Sequence, residues 1–337
     1  MNVLVTGATS GLGRNAAEQL LRQGWQVRAT GRDEAQGREL QELGASFHRA
    51  DLATLSPGGA ADLVRGVDAV WHCAALSSPW GRMQDFEATN VRATQLLAHA
   101  SVQEGVPRFV HISTPSIYFD FRHHAQVQES YRAARFANAY AATKACAEVL
   151  ITGMARRCPN TRFVILRPRA LFGPHDRVIL PRLLALLHQR RGVLPLPGGG
   201  RAVMDLTYVE NVVHAMQLAT TADVPSGEAF NITNQQPCSL ADLLRDLLGG
   251  HWGMTYRIQP VPYPVLAGVA GLLSGWARIT GREPALTRYS VGALHYGMTL
   301  DNSKAQQQLG YFPTIDMTEG VRRTARWHQD HGQHPRF

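Results

Sequence analysis

The amino-acid sequence predicts an α/β chain: a doubly wound parallel sheet with helices on both faces, followed by a smaller region. Three observations lead there. Short apolar runs alternate six times with amphipathic stretches, a glycine-rich turn follows the first run directly, and the alternation is lost beyond about Phe172. Val3-Leu4-Val5 reads as the first strand. Arg14 to Arg22 reads as a helix because Ala16, Ala17, Leu20 and Leu21 share one face, and Gly24 ends it. By the same patterning, strands are predicted at 26–30, 46–48, 69–73, 109–113 and 163–166, with helices at 35–43, 60–64, 87–101 and 140–157. After Phe172 prolines and glycines become frequent, as in Leu194-Pro195-Leu196-Pro197 and Gly198 to Gly200.

The glycine turn carries the first functional signal. Thr6-Gly7-Ala8-Thr9-Ser10-Gly11-Leu12-Gly13 lies between a strand and a helix. There, glycines permit a tight turn and let amides at the helix start approach a pyrophosphate. Gly7, Thr9, Ser10, Gly11, Leu12 and Gly13 are therefore expected to hold a dinucleotide on a Rossmann-type sheet. Residues 1–175 are expected to form the dinucleotide-binding unit, with 205–235 returning to it; 176–204 and 236–337 are expected to form the substrate-binding region. At the end of the second strand, NAD sites usually place a carboxylate for the ribose 2′-hydroxyl, whereas NADP sites need a cation for the 2′-phosphate. Gly31 stands at that place and Arg32 follows, which favours NADP; Asp33 keeps NAD possible. Asp51-Leu52, after the third strand, is either an adenine contact or a turn.

Tyr140-Ala141-Ala142-Thr143-Lys144 puts a phenol and an ammonium on one face of a predicted helix. Exchange between a secondary alcohol and a ketone needs a group that moves a proton at oxygen while hydride moves at carbon. Bringing a tyrosine from about 10 to neutrality costs roughly 4 kcal/mol. One cation at about 4 Å supplies about that much at an effective dielectric of about 20. Lys144 is also one of only two lysines, with Lys304, among 34 cationic residues. Tyr131 and Arg135 share the spacing but lie in a polar stretch.

With His72-Cys73-Ala74-Ala75 after the fourth strand and Ser113-Thr114 after the fifth, these features resemble the extended short-chain dehydrogenase/reductase family along essentially the whole chain. Tyr208-Val209-Glu210-Asn211-Val212, Asp301-Asn302-Ser303-Lys304-Ala305 and Leu309-Gly310-Tyr311 resemble its 3β-hydroxysteroid dehydrogenase-like branch, including bacterial 2-alkyl-3-oxoalkanoate reductases. The resemblance implies that Thr114 bonds the substrate carbonyl, with Ser113 and Ser116 as competitors. It makes Tyr140 the general acid or base, and has Lys144 lower its pKa and hold the nicotinamide ribose. Asn90 supports the site or caps backbone, Ala74, Ala75 and Arg167 fall beside the cofactor, and two chains pair through the helices holding Asn90 and Tyr140. Position 10 is Ser where the extended family commonly shows TGxxGxxG, which touches the detail of pyrophosphate contact.

Nucleotide-sugar relatives often hold a diphosphate with an Arg before Asp and an Asn after the post-strand Arg. Met204 precedes Asp205 here, and Ala170 takes the place of the Asn. With the uncharged stretch from Ile258 to Ala277 as a wall or lid over ligand, this favours a largely apolar substrate, steroid-like or a 3-oxo/3-hydroxy acid. Arg169, Arg177, Arg182 and Arg201 stand ready for a carboxylate or phosphate on it. The alternatives are a nucleotide-sugar epimerase/dehydratase and a non-catalytic NADP-binding regulator.

Composition excludes other classes. With 45% hydrophobic and 18% charged residues the chain is neither disordered nor fibrous. The net charge of +8 comes from scattered arginines, without the stripe or aromatic platform a nucleic-acid binder shows. Cys73, Cys146, Cys158 and Cys238 form no C-x-x-C pair, no metal-ligand spacing is visible, and no leader precedes the first strand, so a cytoplasmic protein without a metal is expected. Pro260, Pro262 and Pro264 leave only about 13 residues free to be helical before Arg278, too short to span a bilayer.

Overall fold

The computed structural model describes residues 1–176 and 180–331. In the first half strands and helices alternate: β1 (Asn2–Thr6), α1 (Gly11–Arg22), β2 (Gln26–Gly31), α2 (Glu34–Glu42), β3 (Ser46–Arg49), α3 (Pro57–Val64) and β4 (Ala69–His72). Local chemistry sets these boundaries. Asp33 caps α2 by accepting from the Gln36 amide, and Ser56 caps α3 ahead of Pro57. Next come α4 (Met83–Phe86), a wider π-turn over Glu87–Arg92, α5 (Ala93–Gln103), β5 (Arg108–Ile112), β6 (His124–Val127), α6 (Ala139–Arg157) and β7 (Arg162–Pro168). The helix expected at 87–101 is thus interrupted by the π-turn around Asn90, a distortion frequent at functional sites.

The remaining elements are β8 (Leu171–Phe172), α7 (Leu180–Gln189), β9 (Val193–Pro197), β10 (Val203–Met204), β11 (Thr207–Tyr208), α8 (Val209–Thr221), β12 (Glu228–Ile232), β13 (Cys238–Ser239), α9 (Leu240–Leu244), β14 (Arg257–Val261), α10 (Tyr263–Thr280), α11 (Arg288–His295), β15 (Met298–Leu300) and α12 (Met317–Asp330). Seven strands form one parallel sheet in the order β12-β7-β5-β4-β1-β2-β3, the Rossmann-type arrangement the alternation predicts. Its direction of winding reverses between β1 and β4, so the carboxyl ends of β1, β4, β5 and β7 border one crevice.

Strand residues alternate between two cores. Val3, Val5, Trp71 and Val110 face α1 and α8; Leu4, Val70, Phe109 and Ile165 face α3, α5 and α6. A third core, around Phe172, Leu196, Leu206, Leu244 and Trp252, gathers the C-terminal elements. Lys304 joins these to the main sheet, pairing with Glu228 on β12 and lying 5.1 Å from the centre of the Phe230 ring.

Between β7 and β8, Ala170 adopts φ 43°, a left-handed conformation that costs an L-residue with a Cβ roughly 1–2 kcal/mol. Its carbonyl accepts from the Thr207 amide, which holds the turn in place. Ala170→Gly is expected to raise stability by roughly 0.5–1 kcal/mol in denaturant unfolding, since part of the relief is returned as unfolded-state entropy. A midpoint that stays put or falls would show that the turn stores no strain.

Candidate active site

The first structural support for a nucleotide site is steric. A Cβ on Gly13 would sit 2.3 Å from the Gly7 carbonyl oxygen, and one on Gly7 would sit 2.9 Å from Ala74 Cα. Only glycines let α1 start this close under β1 while the Ala74–Ala75 segment passes over it. Thr6 fixes that segment, its hydroxyl accepting from the Ala74 amide and meeting His72 Nδ1 at 2.8 Å. Not every expected amide is free, however. Gly11 N–H donates to the His175 carbonyl at 3.2 Å, and Asn15 clamps the Pro174 carbonyl from α1. Leu12 and Gly13 are left with amides that no described residue accepts, at the positive end of α1 beside Thr9 and Ser10.

At the end of β2, a Cβ on Gly31 would lie 2.5 Å from Thr9 Oγ1 and 3.0 Å from Thr9 Cβ. The glycine is therefore dictated by packing against the turn. Arg32 is exposed and forms no ion pair with a described residue, while an Asp33 oxygen accepts from the Gln36 amide at 3.1 Å. Asp51 caps the turn at Leu52–Thr54 through the Ala53 amide, and Leu52 packs into the second core. The Leu52 side chain thus anchors the turn, leaving its backbone at the end of β3 as the part that a nucleotide could meet.

On the other side of the crevice four hydroxyls line up. Tyr140 stands at the start of α6, and the Thr114 hydroxyl, which follows β5, acts on its phenol. Thr114 donates to Ser116 Oγ at 3.0 Å, and Ser116 Oγ meets the Tyr289 hydroxyl of α11 at 2.7 Å. Ser113 Oγ is buried and bonds to no described residue. Asn138 caps α6 by accepting from the Ala141 amide, which fixes where Tyr140 begins the helix. Asn90 spans the gap to the β4 loop: it accepts from Leu76 N at 2.8 Å and donates to Leu76 O and to Thr143 Oγ1. These bonds brace the loop after β4 against α6.

Two expectations for this half are corrected. Lys144 does not lower the Tyr140 pKa here: burial, against the opposing Thr114 hydrogen bond, pushes the phenol up to about 12. The ammonium instead donates to the Ile112 carbonyl at 2.5 Å and meets His111 Nε2 at 3.0 Å. Burial brings Lys144 itself down to about 7, and burial together with its charge holds His72 at about 3. Arg167 is the second correction. Its guanidinium grips Glu148 through both oxygens, at 2.7 and 2.6 Å, and also donates to Tyr118 at 2.5 Å, so it is committed to the interior and not to the cofactor.

The substrate side differs as well. In α10 only Ala270 and Ala277 are buried among the residues whose exposure is described, while Val265, Val269, Leu272, Trp276 and Ile279 face solvent. The expected apolar wall points outward. The helix is also longer than the prolines implied, because Pro264 occupies its first turn. No helix among the described residues is long and apolar enough to cross a membrane. Of the four arginines expected to meet an anion, Arg177 lies outside the described residues, Arg182 pairs with Glu283, Arg201 is exposed, and Arg169 is buried. Tyr289 escaped the sequence reading; its signal is the Thr287…Ser290 capping box, which fixes Tyr289 in the first turn of α11.

Residues 3–233 match the family model described as the NAD dependent epimerase/dehydratase family. The chain belongs to that family. Within it, this extended short-chain dehydrogenase/reductase is 47% identical over 339 residues to YbjS of Escherichia coli K12, an uncharacterized protein, covering 100% of both chains. It is 32% identical over 333 residues to a 2-alkyl-3-oxoalkanoate reductase of Stenotrophomonas maltophilia, covering 96% of this chain and 98% of that one. Among solved structures, the UDP-glucuronic acid 4-epimerase of Bacillus cereus in complex with NAD superposes with a TM-score of 0.77 at 22% identity, over 98% of this chain and 97% of that one. The last likeness concerns the fold.

Proposed function

We propose that the chain reduces a ketone on a largely apolar substrate to a secondary alcohol, and runs the reverse reaction, with NADPH preferred over NADH. The observation that carries this reading is the Thr114–Ser116–Tyr289 hydroxyl chain beyond the carboxyl end of β5, with the Thr114 hydroxyl acting on the Tyr140 phenol. A bound nicotinamide supplies or takes up the hydride at the carbinol carbon. Thr114 orients the carbonyl oxygen, and Tyr140, protonated because burial raises its pKa, gives that oxygen its proton. Lys144 lies one side chain further in, with its ammonium anchored on the Ile112 carbonyl beneath the crevice. The exposed groove lined by Met83, Glu87, Val91, Ala142 and Cys146 supports pairing of two chains along the π-turn that holds Asn90 and along α6.

Nicotinamide absorbance distinguishes this reading from its rivals. Steroid ketones and 3-oxo acids are expected to give net oxidation of reduced cofactor. Interconversion of nucleotide sugars with no net change would make the chain an epimerase, and cofactor binding without turnover of either class would make it a regulator. The coenzyme preference rests on Arg32, whose planar donor pair suits a 2′-phosphate. Arg32→Ala is expected to weaken NADPH binding by roughly 10- to 100-fold while leaving NADH nearly unchanged. Equal losses for both would remove the preference.

A further inference from the structure

β5 carries one residue out of keeping with its surroundings. Phe109, Val110 and Ile112 are apolar, whereas His111 among them is a fully buried imidazole. Burying a ring with two polar nitrogens is costly unless both are paired. The neighbouring strand shows the usual solution. His72 of β4, in register with His111, has its nitrogens on the hydroxyls of Thr6 and Thr94, at 2.8 and 2.9 Å. His111 is satisfied only halfway. Its Nε2 meets the Lys144 ammonium at 3.0 Å, and its Nδ1 is buried with no partner among the described residues. An ammonium can only donate, so Nε2 is the acceptor and the ring proton sits on Nδ1. Burial and the Lys144 charge keep the ring neutral by holding its pKa well below the usual range. The backbone completes the seat, because the next residue, Ile112, offers its carbonyl to the same ammonium at 2.5 Å. Two of the three ammonium protons are thereby placed by consecutive residues of one strand, and the third has no acceptor among the described residues.

We infer that His111 is a positioning residue, seating the Lys144 ammonium on β5 so that its third proton is kept for the ribose of a bound nicotinamide. The inference deepens the ketone-reductase reading and rests on it for what that third proton meets. Strand geometry explains why the seat lies here. Thr114 is two residues beyond Ile112, and the Ser113 amide between them is fixed on the Leu166 carbonyl of β7 at 2.7 Å. The strand end that places Thr114 thus also places Lys144, whose flexible four-carbon stem would otherwise leave the amine free to swing. The other titratable groups acting on the amine do not compete for it. His72 has both nitrogens occupied, and Glu148 is held by Arg167 and Arg132. Burial pushes the Cys73 thiol and the Tyr140 phenol each up to about 12, so both stay neutral.

The test exploits the chain's having only two lysines, Lys144 and Lys304. With an isotope label at lysine Cε, and Lys304→Arg to identify the other signal, the Lys144 amine is titrated by NMR without cofactor in wild type, His111→Leu and His111→Gln. Removing the acceptor disfavours the charged amine, so His111→Leu should shift the Lys144 midpoint toward acid by about one pH unit or more. Gln, whose amide oxygen reaches as far as Nε2, should return most of that shift. In ketone reduction, KM for NADPH should rise about tenfold in the Leu variant, with kcat within about threefold of wild type, and should recover in the Gln variant. A merely structural histidine would lower Tm in both variants and leave the lysine midpoint in place; that result overturns the inference. If His111→Leu fails to fold, the imidazole nitrogen shifts of wild type decide: a proton on Nδ1 supports the seat, and a proton on Nε2 overturns it. A shifted midpoint in a protein that turns over no ketone keeps the seat and rejects the reductase. An unmoved midpoint in an active reductase does the reverse.

Discussion

Tyr140→Phe is expected to lower the rate of ketone reduction by about 10²–10⁴-fold, the range that a positioned acid contributes, with cofactor affinity nearly intact. The change removes one oxygen and leaves the α6 start, capped by Asn138, in place. The dependence on pH follows from the same group. Because the free-enzyme phenol is held up to about 12, it stays protonated through neutrality, and reduction should not lose its acid between about pH 6 and 9. Oxidation needs the deprotonated form and should rise with pH over that interval. Stopped-flow measurement of hydride transfer in both directions reads both effects. Retention of most activity by the Phe variant would move the proton donor elsewhere in the hydroxyl chain, with Tyr289 and Ser116 next in line.

The second large effect is structural. Glu148, on α6, is 4% exposed and holds Arg167 through two bonds and Arg132 through a third at 2.9 Å. Burial alone would pull the Arg167 pKa down, yet the Glu148 carboxylate beside it outweighs burial and raises it. Glu148→Gln leaves that guanidinium buried without a counter-charge, which costs about 3–5 kcal/mol. A fall in Tm of roughly 5–10 °C is expected. Replacing the pair by apolar residues, Glu148→Leu with Arg167→Met, should recover much of the loss, because neither charge then has to be desolvated. An unchanged Tm with weakened cofactor binding would instead return Arg167 to the nucleotide site.

The sequence made the nucleotide half legible because its signals are local. A strand, a glycine turn and a helix start are contiguous from Asn2 to Gly13, so their spacing alone specifies the close approach of backbone. The Tyr140/Lys144 pair was visible as residues but not as an interaction. Helical spacing places both on one face, yet the acceptor that captures Lys144 is a carbonyl on β5, 32 residues away in sequence. Arg167 follows the same rule: its carboxylate partner lies on the preceding helix, and no sequence pattern links a strand end to Glu148. The segment Val265 to Trp276 shows a different limit. Composition marked it as apolar, but which side of the helix meets protein depends on α11, and only small residues ended up inside.

The fit between Thr9 and Gly31 also bears on how the coenzyme preference of this scaffold can change over time. The carboxylate that grips a free ribose cannot be introduced at position 31 while threonine occupies position 9, because its first side-chain carbon would overlap Thr9. The two positions are therefore epistatic. A lineage, or an engineer, must trim Thr9 to a smaller residue before Gly31→Asp becomes tolerable, and the single changes should misreport the value of the pair. Taken in the other order, the path passes through an intermediate in which the new side chain and Thr9 crowd each other.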